Sequence, residues 1–273
     1  MALRLENVHA GYGTGRSDRM VLRGLTASFE PGSVTVIVGP NGAGKSTLAR
    51  AALGLIAPRS GRVTLDGLDV ARLRGHERAR RLVYVPQRSE AAFAYKVRDL
   101  VGMGRYAAGE ASTGDANEAI VRALARVELA DRAGDSYGEL SAGQQQRVTL
   151  ARALVQMEIP LQSKAHGTLA LVADEPISAM DPRHALCALE LFQEIARAGA
   201  AVAVVLHDLS LAARVADRAM VLSHDGLVAF EGEARSTLTA EKLGPVMGLP
   251  LVSASVPGGG VLIGPAMHEP GVE

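Results

Sequence analysis

A glycine-rich segment near the beginning of the chain stands between an apolar run and a helical segment. The run from Val34 to Val38 is short and rich in β-branched residues, which is typical of a buried strand. Helical periodicity begins after Lys45. The residues between the two are Gly39-Pro40-Asn41-Gly42-Ala43-Gly44-Lys45-Ser46. This order predicts a strand, a tight loop and a helix whose N-terminus faces the end of the strand.

Such a loop is suited to bind phosphate. Its glycines let successive backbone N–H groups converge on phosphate oxygens, and the helix N-terminus adds a favourable partial charge. We expect Lys45 to reach the terminal phosphates and the hydroxyl of Ser46 to coordinate Mg²⁺, with Thr47 completing the nucleotide-binding segment. The alternative is an ordinary glycine turn, against which the strand and helix on either side argue.

Two further apolar runs predict buried parallel strands. They extend from Leu169 to Ala173 and from Ala201 to Leu206, and each continues into polar residues. Ligands of open α/β sheets bind beyond the carboxyl ends of the strands. The sequence therefore predicts an α/β fold with its chemistry at one edge of a parallel sheet.

The polar residues at these strand ends are candidates for catalysis. We expect Asp174 to hold Mg²⁺ through water and Glu175 to act as general base, with His207 beside them. Gln87 follows a predicted strand and could bring its amide oxygen to the Mg²⁺ or to the attacking water. Taken singly, the carboxylates could be a solvated turn, the histidine structural and the glutamine a surface residue.

The segment from Leu140 to Arg147 predicts a capped helix start. Ser141 is a good N-cap residue, and Gln144 lies three positions later, where it can bond back to the N-cap backbone. The full order of motifs is the glycine loop, Gln87, Leu-Ser-Ala-Gly-Gln at 140–144, the Asp-Glu pair, Ser-Ala-Met-Asp at 178–181 and His207.

Together these motifs resemble those of the ATP-binding cassette (ABC) family, from about Leu3 to Leu238. The resemblance implies an α/β P-loop NTPase cassette with a RecA-like parallel-sheet core, an N-terminal antiparallel β subdomain and a helical subdomain at about 75–155. The cassette would occupy residues 1–240. Residues 241–273 are turn-rich and are expected to form a short, loosely attached tail.

The resemblance also implies how the site is completed. In the family two cassettes face head to tail, so ATP bound by one copy would meet Ser141, Ala142, Gly143 and Gln144 of the other in a homodimer, with Mg²⁺ as cofactor. Tyr12 stands where the family places an aromatic that stacks on adenine, although such a residue beside a glycine turn is also common at strand ends. The sequence departs from the usual pattern at Ala142, Ile177 and Met180, and none of these changes removes a catalytic group.

The bulk composition bears on the partners. The chain has 29 Lys plus Arg and 29 Asp plus Glu, so no overall positive field favours nucleic acid. The N-terminus lacks the apolar core of a secretion signal, and the longest apolar run, at 200–206, is too short to cross a bilayer. We therefore expect a peripheral protein at the cytoplasmic face of the inner membrane, with a polytopic permease dimer and, through it, a periplasmic binding protein.

Several segments resemble the importer subgroup for iron chelates, haem and vitamin B12. They are Val101–Tyr106, His207–Arg218 and the expanded segment Met157–Gly167, which is similar to an insertion in haem-importer ATPases. The residues from Arg88 to Tyr106 would receive the permease, or else form an ordinary helical surface. Haem is the expected cargo. A siderophore or cobalamin importer, an exporter ATPase and a soluble cassette acting on ribosomes or DNA remain alternatives.

The variant Lys45→Ala tests the phosphate loop. Because a hydrogen bond from a charged group contributes about 1.5–3 kcal/mol, loss of the ammonium is expected to weaken ATP binding about tenfold or more. Titration of the purified chain with a fluorescent ATP analogue measures the effect. An affinity within twofold of the wild type would contradict the assignment of the loop.

Overall fold

The computed structural model describes most of the chain. The described residues are 2–13, 19–87, 95–107, 113–163, 167–257 and 260–266. Parts of several predicted segments lie outside these ranges, namely 88–94 of the expected permease contact, 164–166 of the expanded segment, and 258–259 and 267–273 of the expected tail.

Strands and helices follow one another in the order that the sequence predicts for the core. The described strands are β1 (Leu3–Tyr12), β2 (Arg19–Phe29), β3 (Ser33–Val38), β4 (Ser60–Leu65), β5 (Leu68–Asp69), β6 (Leu82–Val85), β7 (Ala170–Asp174), β8 (Ala201–Val205), β9 (Arg218–Leu222), β10 (Val228–Glu233), β11 (Leu251–Val256) and β12 (Gly260–Pro265). The described helices are α1 (Lys45–Ala52), α2 (Gly75–Arg81), α3 (Val97–Ala107), α4 (Thr113–Arg126), α5 (Ala142–Ser163), α6 (Pro182–Arg197), α7 (Leu209–Val215), α8 (Ala234–Thr237) and α9 (Ala240–Met247).

The larger sheet has six strands in the order β10-β9-β3-β8-β7-β6. Adjacent strands of this sheet pair in parallel, except that β10 runs antiparallel to β9. The three strands predicted from apolar runs, β3, β8 and β7, lie side by side at its centre. Both faces of this sheet are covered: Val36 packs into one apolar cluster and Ile37 into the other. Burial on both faces explains why these strands are continuously apolar.

The N-terminal segment forms the predicted antiparallel sheet. Its four strands are arranged in the order β2-β1-β4-β5, with β1 paired to both β2 and β4. Leu3, Leu5 and Phe29 from this sheet share a buried cluster with Leu48 of α1 and with Ile37. The antiparallel sheet thus covers α1 and one face of the parallel sheet, which confirms the predicted fold class.

The helices α3, α4 and α5 pack on the other side of the core. α5 continues from Ala142 into the expanded segment as far as Ser163. Met157 is buried and Leu161 packs against the same cluster as the rest of the helix, so apolar contacts stabilise this last part of α5. Buried residues of α4 and α5 share one cluster with the parallel sheet.

The expectation of a loosely attached C-terminal segment is wrong for its described part. β11 and β12 form an antiparallel hairpin over Leu251–Pro265. Ile263 of β12 is buried in the main cluster, its backbone N–H donates to Ser210 Oγ at 3.0 Å, and its carbonyl accepts from the same hydroxyl at 3.4 Å. Gly260 and Pro265, which the turn-rich pattern places in a loose tail, instead begin and end β12.

Within the described residues, none of the helices combines the length and hydropathy that would be needed to cross a bilayer.

Gly104 tests the packing of α3 on α5. A Cβ at Gly104 would lie 2.4 Å from the carbonyl oxygen of Arg152 and 3.1 Å from the backbone nitrogen of Gln156. Although glycine to alanine usually stabilises a helix, we expect Gly104→Ala to lower the free energy of unfolding by about 1–3 kcal/mol through overpacking. The matched control is Gly134→Ala, whose Cβ would meet no atom within 4 Å. Urea denaturation of the wild type and of both variants measures the free energies of unfolding. Equal values for Gly104→Ala and Gly134→Ala would contradict the close packing of α3 on α5.

Candidate active site

Four strand ends bring the predicted site residues to one edge of the parallel sheet. The phosphate loop follows β3, Gln87 follows β6, Asp174 ends β7 and His207 follows β8. A cleft of about 240 Å³ lies at this edge. Its lining residues are Tyr12, Arg19, Val21, Asn41, Gly42, Gly44, Lys45, Ser46, Thr47, Glu175 and His207. A larger depression of about 410 Å³ lies beside β4 and β5, away from the carboxyl ends of the parallel strands and from the glycine loop, so the chemistry belongs to the smaller cleft.

The phosphate loop has the conformation that its glycines predict. Gly44 is the N-cap of α1 with φ 94°, a left-handed conformation that strains other residues. No side chain caps the helix there, which leaves N–H groups of its first turn open to an anion. Lys45 is buried, and its Nζ donates to the carbonyls of Gly39 at 2.8 Å and Pro40 at 2.9 Å.

Charge and burial compete at Lys45. Burial lowers the pKa of its ammonium, while the nearby carboxylates Glu175 and Asp174 partly offset that effect. The ammonium would therefore gain from an anionic partner, and a terminal phosphate in the cleft is such a partner.

Ser46 and Asp174 meet at the bottom of the site. Ser46 Oγ donates to Asp174 Oδ1 at 3.0 Å, and Asp174 is only 1% exposed. Burial raises the pKa of the Asp174 carboxyl, and the negative charge of Glu175 raises it further, although the bond from Ser46 opposes the change. A hydroxyl and a buried carboxylate are the hard oxygen ligands that Mg²⁺ prefers, so this donor set fits the predicted metal.

Glu175 has a backbone conformation that few residues other than glycine adopt. Its φ is 49°, which costs about 1 kcal/mol or more unless the surroundings hold it. Its backbone N–H donates to the carbonyl of Val205 on the neighbouring strand at 3.2 Å. The strained turn directs the chain away from β7 immediately after Asp174, and such strain is concentrated at functional sites.

The carboxylate of Glu175 is held between two other predicted site residues. Gln87 Nε2 donates to Glu175 Oε2 at 2.5 Å, and His207 Nε2 lies 2.5 Å from Glu175 Oε1. The side chain of Glu175 is 14% exposed and that of His207 is 45% exposed. A carboxylate at the mouth of the phosphate cleft, oriented by an amide and an imidazole, is arranged to accept a proton from water.

Tyr12 lies at the entrance of the cleft. It is 41% exposed, and its hydroxyl oxygen accepts from Thr47 Oγ1 at 3.3 Å and from Arg50 at 3.4 Å. The hydroxyl is therefore anchored to α1. An anchored and exposed ring suits the stacking predicted for Tyr12.

Sequence reasoning missed two residues below the site. Tyr84 on β6 lies beside Arg50 and Asp174, and burial raises the pKa of its hydroxyl. Arg50 donates to the Tyr12 hydroxyl, and the neighbouring Tyr84 hydroxyl is the main cause of the raised pKa of Arg50. Arg50 lies one turn after Ser46 and could have been found from helical spacing, whereas Tyr84 gave no signal.

The segment 140–144 begins α5 as predicted. Ser141 Oγ accepts from the N–H of Gln144 at 3.3 Å, and Gln144 Oε1 accepts from the N–H of Ser141 at 2.9 Å, which is a capping box. Ser141 and Ala142 are exposed and do not line the cleft of their own chain, whereas Gly143 is partly buried. The unusual residues Ile177 and Met180 pack against the main apolar cluster.

The raised pKa of Asp174 gives a prediction with a definite sign. The folded chain retains the Asp174 proton to a higher pH than the unfolded chain does, so ionisation of this group lowers stability as the pH rises through that interval. In the absence of Mg²⁺ and nucleotide, Asp174→Asn should therefore raise Tm at pH 7, by about 2 °C for each 1 kcal/mol gained in a chain of this size.

The matched control for Asp174→Asn is Asp225→Asn. A bond from Ser223 lowers the pKa of that exposed carboxyl, so its replacement should not raise Tm. Differential scanning calorimetry of both variants measures the difference. A lower Tm for Asp174→Asn than for the wild type would contradict a net cost of burying this charge.

Comparison with known proteins identifies the family. The sequence pattern of the ABC transporter family matches residues 22–159. The hemin import ATP-binding protein HmuV of Pseudomonas entomophila (strain L48) is 40% identical over 247 residues, covering 90% of this chain and 92% of the relative. The hemin import ATP-binding protein HmuV of Myxococcus xanthus (strain DK1622) is 38% identical and covers 99% of both chains.

Solved structures agree in fold. An inward-facing transporter described as metal-chelate type has a TM-score of 0.76 at 25% identity, covering 97% of this chain and 98% of that one. A dimeric bacterial ABC transporter cassette has a TM-score of 0.72 at 26% identity, covering 85% of this chain and 99% of that one. The fold, the cleft and the relatives agree, and the chain belongs to the ABC transporter family as one of its ATP-hydrolysing subunits.

Proposed function

We propose that this chain drives the import of hemin. The observation that carries the proposal is the 40% identity, over 90% of the chain, to a protein named for hemin import. Hemin import ATP-binding proteins from several other bacteria show similar identity. The expanded segment Met157–Gly167 also favours haem as the cargo, and the similarity over most of the chain adds to it.

In the proposed site each residue has a separate role. The N–H groups of the loop from Gly39 to Gly44 and the ammonium of Lys45 bind the phosphates of ATP. Glu175 orients the attacking water and accepts its proton, while Gln87 and His207 hold the carboxylate in place. The adenine lies on the ring of Tyr12 at the cleft entrance. The short distances from Gln87 and His207 to Glu175 support this arrangement.

Mg²⁺ would be held by Ser46 and Asp174, with Gln87 contributing its amide oxygen. When bound, the ion neutralises charge on the phosphate oxygens during phosphoryl transfer. Burial raises the pKa of the Asp174 carboxyl, and this supports the proposal. A cation beside the carboxylate would offset the cost of burying its charge.

The complete site would need two copies of the chain. Ser141, Ala142, Gly143 and Gln144 begin α5, and the two of them most exposed, Ser141 and Ala142, do not line the cleft of their own chain. In the proposed homodimer this segment of one copy covers the terminal phosphate bound by the other. The similarity to a dimeric cassette supports this arrangement.

The remaining partners follow from import. A polytopic permease dimer would provide the transport path, receive the dimer at α3 and the preceding residues, and obtain hemin from a periplasmic binding protein. The chain would then act at the cytoplasmic face of the inner membrane.

A second candidate is import of another metal chelate, such as a ferric siderophore or cobalamin. The similarity to a transporter described as metal-chelate type favours it. The two candidates share the ATPase chemistry and differ only in the cargo, so uptake measurements separate them.

Uptake in a strain lacking this chain tests the function. The strain is complemented with the wild type, with Glu175→Gln or with the control Glu241→Gln, an exposed carboxylate of α9 outside the cleft. Wild type and control should restore growth on hemin as the sole iron source, whereas Glu175→Gln should lower the uptake rate about a hundredfold or more through loss of the general base.

The three cargoes are then compared in the same strains. Hemin uptake that does not depend on the chain, in a strain without another hemin importer, would remove hemin as the cargo. Uptake of a ferric siderophore or of cobalamin that requires the chain would favour the second candidate. Equal uptake with Glu175→Gln and the wild type would contradict the catalytic role of Glu175.

A further inference from the structure

A buried glutamine on α5 lies behind the catalytic cleft. Gln146 is 8% exposed and stands five residues after Ser141. Glutamine is rarely buried to this extent, because its amide carries two donors and an acceptor that must all find partners. Its neighbour Gln145 donates instead to the carbonyl of Tyr137, outside the cleft.

The amide of Gln146 contacts three separate segments of the chain. Its Nε2 donates to Ser178 Oγ at 2.9 Å and lies 3.3 Å from the carbonyl of Gln87 and 3.4 Å from that of Glu175. Its Oε1 accepts from the backbone N–H of Ala179 at 3.0 Å. One side chain on α5 therefore joins the end of β6, the end of β7 and the segment before α6.

Two of these contacts fix the strained backbone of Glu175 relative to Gln87. The N–H of Glu175 is held by Val205 and its carbonyl by Gln146, so the residue with φ 49° is bonded on both sides. The backbone carbonyl of Gln87 also accepts from the Gln146 amide, while the side chain of Gln87 donates to the Glu175 carboxylate. Without Gln146, the two carbonyls and Ser178 Oγ would lose the two N–H donors that they share.

The start of α5 also packs closely against the backbone of Ala179. A Cβ at Gly143 would lie 2.5 Å from the carbonyl oxygen of Ala179, so only glycine allows this approach. Gln146 bonds the N–H of that same Ala179 one turn along the helix. The beginning of α5, which would cover the phosphate of the other copy, is thereby joined to the backbone of Glu175.

We infer that Gln146 is a positioning residue for hydrolysis, which fixes Glu175 and Gln87 relative to the start of α5. Gln146 does not line the cleft, and it acts through the backbone of Glu175 and Gln87. The inference rests on the proposed role of Glu175. It predicts that loss of the Gln146 amide slows turnover without weakening ATP binding.

The experiment compares three variants of the chain co-purified with its permease. Gln146→Met removes the amide at nearly constant size, and Gln146→Glu keeps the acceptor for Ala179 but cannot donate to the two carbonyls. Gln145→Met is the matched control on the adjacent position. We expect kcat of ATP hydrolysis to fall about tenfold or more in both Gln146 variants, with KM for ATP within twofold of the wild type, and the control to retain its kcat.

Two results would overturn the inference. One is a kcat of both Gln146 variants within twofold of the Gln145→Met control. The other is a parallel loss of kcat, ATP affinity and Tm in the Gln146 variants, which would indicate only a structural role.

A second readout uses the Glu175→Gln background. Because Gln146 acts through Glu175, adding Gln146→Met should reduce the residual single-turnover rate by less than twofold, whereas a further tenfold fall would contradict the coupling. A wild-type rate for Glu175→Gln alone would instead contradict the proposed function, so the two failures are distinguishable.

Discussion

Adjacent parallel strands that end at one edge of the larger sheet determine where this protein can do chemistry. β3, β8, β7 and β6 are neighbours, so the residues that follow them meet although they are up to about 170 positions apart in the sequence. Hydrogen bonding in the sheet fixes these ends. The Ser46–Asp174 bond and the contacts of Glu175 with Gln87 and His207 all depend on this arrangement.

The site combines several costly features. Lys45 and Asp174 are both buried, and Glu175 has a strained backbone. Each feature is unfavourable for the isolated chain, and each would be offset by a ligand of opposite charge or by a bond from a neighbouring segment. Sites that bind a charged substrate commonly give up stability in this way.

The sequence predicts those parts of the fold that depend on interactions between residues close together in the chain. The β-branched runs, the glycine loop and the capping pair at Ser141 and Gln144 all depend on neighbouring residues, and the structure contains them. Tyr84 and Gln146 gave no such signal, because their contacts join residues distant in sequence. The turn residues of the C-terminal segment predict a loose chain, and nothing local to them indicates packing. Burial of Ile263 in the apolar cluster nevertheless holds the hairpin against the core.

In the proposed homodimer, ATP is enclosed by two copies of this chain. The most direct test is an experimental structure of the Glu175→Gln variant with ATP and Mg²⁺. We predict a head-to-tail dimer in which Ser141 Oγ and the Gly143 N–H of one copy lie within hydrogen-bond distance of the terminal phosphate held by Lys45 of the other. A nucleotide enclosed by residues of a single copy, with Ser141 of both copies in solvent, would contradict it.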